Sequence, residues 1–187
     1  MQLIKGTYSK EDAFEIVQQI IRVKIRFHEE KISLSDQEED IKMRERRIKD
    51  LQHDLAAFRK EIAAQEGSVN MNALLNLDGA EPEAQQFSLI NGVFDARDAI
   101  EILGNAYQSK MNFHTNKAFS LTERGLPGAE KHQRRLAELQ AELDRARALL
   151  SSDAEAGRSV SMVCTLALSF QPHTNSGVQK PALAHSH

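Results

Sequence analysis

The stretch LIKGTYSKEDAFEIVQQIIRVKIRFHEEK, Leu3 to Lys31, returns later in the chain as LINGVFDARDAIEILGNAYQSKMNFHTNK, Leu89 to Lys117. With a shift of 86 positions, 11 of the 29 residues are identical; chance would give about two. After a small insertion the match resumes, with RIKDLQHDL (Arg47 to Leu55) lying over RLAELQAEL (Arg135 to Leu143). The pattern implies an internal duplication of about 60 residues. Two copies are too few for a solenoid, so a pseudo-twofold pair is the expected arrangement.

Each copy opens with a short alternating segment containing a glycine, and a helix start follows. Ser9 stands three residues before Asp12, and Asp95 three before Asp98. Each of the first pair can accept a backbone N–H as a cap, and each acidic partner suits the positive end of a helix. A first helix is expected from about Lys10 to Ile32. Ala13, Ile16, Val17, Ile20, Ile21, Val23 and Phe27 recur at steps of three and four, as on an amphipathic helix. Ala99, Ile102, Leu103, Ala106, Met111 and Phe113 repeat the pattern.

A second helix, from about Asp36 to Gln65, is expected to start on a capping box of Ser35 and Glu38. Ile41, Ile48, Leu51, Leu55, Phe58 and Ile62 follow a seven-residue pattern, with Arg44 breaking one seam position. Leu136, Leu139, Leu143, Ala146 and Leu150 form the seam of the other copy. The expected fold is therefore mainly α: two antiparallel helical hairpins with coiled-coil-like long helices, plus short β segments at 3–8, 88–94 and 159–170. The second helix is expected to outreach its partner.

The expected organisation is hairpin one over 1–66, a linker over 67–86, hairpin two over 87–151 and a C-terminal strand with a loose tail over 152–187. Within the linker, MNALLNLD could dock as a helical turn. The strand signal comes from Val160, Met162, Cys164, Leu166, Leu168 and Phe170, which fall at every second place. It is expected to pair with the segments that open each copy.

Composition narrows the function. Twenty-four basic and 27 acidic side chains give a net charge of −3, with no general drive toward nucleic acid or anionic lipid. The start lacks the pattern of a signal peptide, and no run of apolar residues would span a bilayer, so a cytoplasmic location is expected. Cys164 is the only cysteine, which excludes an intrachain disulfide. Metalloprotease, nucleophile-elbow, Walker and paired CxxC motifs are absent, so an enzyme is not expected. No cofactor or metal is expected either. The basic cluster KMRERRIK (Lys42 to Lys49) interleaves with acids and lacks aromatic neighbours, as a solvated helix flank would.

One feature resists a purely structural account. Lys24, His28 and Lys31 recur as Lys110, His114 and Lys117, while neighbouring surface residues diverge. Their spacing places each trio on one side of a helix. Packed stems with solvated amines would explain them. A candidate anion site, with the two trios around a common groove, is the sharper alternative. Two functions follow as expectations. The first is a non-enzymatic interaction or scaffold protein whose partner is a second copy or another helical protein. The alternative is a small binding module for a phosphorylated or nucleic-acid ligand at the Lys-His faces.

Overall fold

The computed structural model describes residues 1–77 and 87–171. Eight elements follow in order: β1 (Gln2–Tyr8), α1 (Lys10–Ser33), α2 (Glu38–Ala64), β2 (Ser68–Asn76), β3 (Phe87–Asp95), α3 (Ala96–Glu123), α4 (Ala129–Glu155) and β4 (Ser159–Gln171). The protein is mainly helical, with a small four-stranded antiparallel sheet of order β1-β2-β4-β3. Strand, helix, helix, strand occurs twice along the chain. Among the described residues, no helix is long and apolar enough to cross a membrane.

The helix starts follow local chemistry. Ser9 Oγ accepts from the backbone N–H of Asp12 at 3.1 Å, and Asp95 Oδ1 accepts from that of Arg97 at 2.8 Å. Each therefore satisfies an otherwise unpaired donor at the head of its helix. The expected box at Ser35 does not form. Ser35 Oγ accepts from the backbone N–H of Gln37 at 3.3 Å, one residue before α2 begins, and Gln37 at the cap makes no side-chain bond. A short side chain hydrogen-bonding two residues ahead closes a turn in preference to capping a helix.

The helices bury the faces that their periodicity marks. Leu51, Phe58 and Ile62 of α2 are buried, as are Leu139, Leu143, Ala146 and Leu150 of α4. Ile16, Val17 and Ile20 of α1 and Ile102, Leu103 and Tyr107 of α3 join them in the core. The expected overhang of α2 is missing. It has 27 residues against 24 in α1, so the two differ by less than one turn.

The segment 67–86, expected as a linker, instead supplies strand β2. MNALLN within it is extended, not helical. Val69, Met71, Ala73 and Leu75 are buried, whereas Asn72 and Leu74 on the opposite face are exposed. This alternation is that of a sheet with one packed face. The abundant asparagines disfavour a strand locally, but β2 lies between β1 and β4 and its backbone is paired on both sides. β4 pairs with β2 and β3, not with both opening segments. The loose tail expected beyond β4 lies outside the described residues.

Two glycines place the aromatic rings that matter below. Gly6 has φ +147° and Gly92 φ +157°. A Cβ would meet Tyr8 Oη at 3.2 Å in β1, and Phe94 Cζ at 3.1 Å in β3. The ring two residues on folds back over bare backbone, which only glycine leaves clear.

Candidate functional site

The helical spacing of the repeated trios is kept, but its members separate by environment. Lys31 Nζ lies 2.8 Å from Asp98 Oδ1, and Lys117 Nζ lies 2.7 Å from Asp12 Oδ1. The end of α1 therefore meets the start of α3, and the end of α3 meets the start of α1. Both ion pairs are partly solvated, so each contributes at most about 1 kcal/mol.

Lys24 and Lys110 are each only 1% exposed. Lys110 Nζ donates to Tyr8 Oη at 3.0 Å and sits 4.5 Å from the centre of the Tyr8 ring. Tyr8 Oη in turn donates to the Lys5 carbonyl. Lys24 Nζ has no hydrogen-bond partner among the described residues. The sequence repeat accounts for the difference, because Phe94 stands where the other copy has Tyr8 and offers no oxygen. Burial, reinforced by Arg47 near Lys24 and Arg135 near Lys110, lowers both amines to about 7.

Among the described residues, Lys24 and Lys110 line neither of the two clefts beside the trios, and no common groove is flanked by four open side chains. Three of the six residues line two separate clefts. His28 lines one of about 450 Å³, between the end of α1, the first half of α2 and β3. His114 and Lys117 line another of about 490 Å³, between β1, the start of α1, the second half of α3 and the first half of α4. Lys31 reaches the rim of the first only through Asp98, which lines it.

The clefts occupy matching places in the repeat but differ in charge. The first sets Arg44, Arg46 and Arg47 against Asp50, Asp95 and Asp98. The second is lined by six Lys or Arg side chains against two carboxylates, Asp12 and Glu138. Asp12 is engaged by Lys117, and Glu138 by Arg135 at 2.7 Å. Lys5, Arg124, Lys131 and Arg134 remain, exposed and with no carboxylate at ion-pair distance among the described residues.

The floor of the second cleft is a histidine pair. His114 Nδ1 lies 2.9 Å from His132 Nδ1, so one ring donates and the other accepts. His114 is 5% exposed, and its Nε2 is buried without a partner. Burial first, then Lys110 and His132, lowers His114 to about 3. Burial first, then Lys131 and Lys117, also lowers His132. Both rings are neutral at pH 7. Beside them, Arg135 Nη2 donates to the Gln2 carbonyl at 3.1 Å, tying α4 to β1. Arg47 Nη2 does the same for the Asn91 carbonyl at 3.3 Å, tying α2 to β3.

His132 and Tyr8 were not visible as site residues in the sequence. A signal for His132 existed. Arg44 breaks the heptad seam of α2, and His132 occupies the matching position of α4 under the 88-residue offset between Arg47 and Arg135. A polar residue at the same seam position in both copies marks where each helix pair stops packing and opens.

Chemically, the second cleft suits an anion. Among the described residues, no group of three or more His, Cys, Asp or Glu could hold a metal ion, and the surrounding cations would repel one from the histidine pair. Cys164 is buried and its thiol is pushed up to about 12, chiefly by burial, so it is not a thiolate nucleophile. Comparison with known proteins finds no matching family model, no matching curated protein and no matching solved structure.

Proposed function

We propose that this protein is a binding module for a small anionic, phosphate-bearing ligand, with the β1–α3–α4 cleft as the receptor site. The observation that carries the reading is the group of four exposed cations, Lys5, Arg124, Lys131 and Arg134, unpaired among the described residues, around one concavity of a chain whose net charge is −3. Unneutralised like charges gathered in a concave site repel one another, and an anion relieves that repulsion. The cleft volume of about 490 Å³ suits a small molecule. In this reading the ligand is held, not transformed.

The architecture behind it is two duplicated helical hairpins with coiled-coil-like seams, related by a pseudo-twofold axis. The reciprocal pairs Lys31–Asp98 and Lys117–Asp12 support this. The two clefts differ mainly in cations: Lys5 and Lys131 stand where the other copy has Asn91 and Met43, and Asp95 stands where the basic copy has Ser9. A scaffold that pairs with a second copy or another helical protein is the second reading, supported by the long helix seams; α2 exceeds α1 by only three residues, so an overhanging arm adds little to it.

The test is calorimetric titration with inorganic pyrophosphate at low salt. Wild type should bind, and the double variant Lys131→Glu/Arg134→Glu should lose at least about tenfold in affinity. Circular dichroism of the variant checks the fold. Absence of pyrophosphate binding up to about 10 mM, or an unchanged affinity in a folded double variant, refutes the reading.

A further inference from the structure

We infer that capture of a dianion in the β1–α3–α4 cleft is accompanied by uptake of one proton on the His114–His132 pair, so that affinity for a ligand of fixed charge rises as pH falls. This deepens the anion-binding reading and rests on it.

The two rings meet at a 2.9 Å Nδ1···Nδ1 contact. With both rings neutral, the pair holds two ring protons. One lies in the contact and the other on one of the two Nε2 atoms. A third proton fits without breaking the contact: the Nδ1 proton stays shared and both Nε2 atoms carry hydrogen. A fourth would set two Nδ1–H groups against each other. The pair therefore accepts one proton and no more.

The charges around the pair oppose that proton in the empty cleft. From α3 come Lys110, Lys117 and Arg124; from α4 come Lys131, Arg134 and Arg135. β1 contributes Lys5 and the phenol of Tyr8. Among the described residues the carboxylates that line the cleft are Asp12 from α1 and Glu138 from α4, and each already faces a cation; behind them Glu142 lies 3.7 Å from Arg135. A bound dianion reverses the sign of the local field. The imidazolium then gains an opposite charge where it had met only like ones, and the proton becomes favourable. By linkage, whatever favours the proton favours the ligand equally.

Sulfate is the probe, because it stays a dianion across the range in which phosphate changes its own charge. Calorimetry at pH 6.5 in two buffers of different ionisation enthalpy gives the protons taken up per sulfate. More than about 0.3 proton is expected for wild type, and less than that for His132→Asn. The wild-type association constant for sulfate should rise between pH 8 and pH 6, by up to about tenfold per pH unit, and less steeply in His132→Asn, where only Lys110 still titrates in that range. Heats that do not depend on buffer, uptake unchanged in His132→Asn, a flat pH profile or no sulfate binding would each overturn the inference. Pyrophosphate binding in the preceding experiment judges the anion-binding reading separately.

Discussion

Replacing Lys24 by methionine should stabilise the protein, and the gain should disappear in alkali. Lys24 is 1% exposed, lacks a hydrogen-bond partner and is lowered to about 7 from the ordinary 10.5, mainly by burial. Such a depression corresponds to about 5 kcal/mol of native-state penalty on the charged form, on the order-of-magnitude scale of 1.36 kcal/mol per unit. Relaxation and water entry reduce what a substitution recovers. Replacing buried charged groups by apolar ones of similar volume gains about 1–4 kcal/mol, and a gain of about 2–4 kcal/mol at pH 7 is expected for Lys24→Met. The direction with pH follows from proton binding. Between about 7 and 10.5 the unfolded chain binds more protons at this site than the folded one, so this lysine weighs less against wild-type folding as pH rises. At and below pH 7 the variant's advantage is largest; above about 10.5 the lysine is neutral in both states and little advantage remains. Urea unfolding followed by helical circular dichroism, from pH 6 to pH 10, measures it for both proteins. Comparison with wild type cancels the titration of groups that Lys24 does not touch; His28 and Cys164 feel its charge, chiefly as smaller contributions beside burial. A gain independent of pH, or a variant less stable than wild type at pH 7, would refute the reasoning.

Other outcomes follow from the same geometry. Phe94→Tyr should supply Lys24 with the oxygen that Tyr8 gives Lys110, satisfying a buried donor and stabilising the protein in urea unfolding at pH 7; no gain would show that the two sites are not equivalent. Gly6→Ala and Gly92→Ala should each cost about 1–3 kcal/mol in urea unfolding, since both combine positive φ with a ring at 3.1–3.2 Å. A double-mutant cycle on Lys31→Met and Asp98→Asn should give a coupling below about 1 kcal/mol that falls further with added salt. A larger, salt-insensitive coupling would mean that the pair is more deeply desolvated than its exposures of 32% and 23% indicate.

The sequence by itself determined which segments are helices and where the chain resembles itself. Steps of three and four residues mark the buried faces of α1 to α4, and partial alternation, broken at Val163 and Ala167, marks β4; these are local patterns, set by the geometry of a single element. It also singled out Lys24, His28, Lys110 and His114, because identity after so much divergence stands out against a changed background. Only the tertiary structure decided their fates. A helical face that brings a lysine and a histidine together looks the same whether another helix seals it or a cleft opens beside it. Sealing depends on residues as distant as Tyr8 from Lys110, and opening on a histidine in α4 meeting one in α3. β2 was hidden for the same reason. Its asparagines argue against a strand when read alone, and its stability comes from β1 and β4 on either side. What a residue touches across a hundred positions of chain leaves no periodic trace in its own neighbourhood, and contacts of that kind settle both strand order and the solvation of a buried charge.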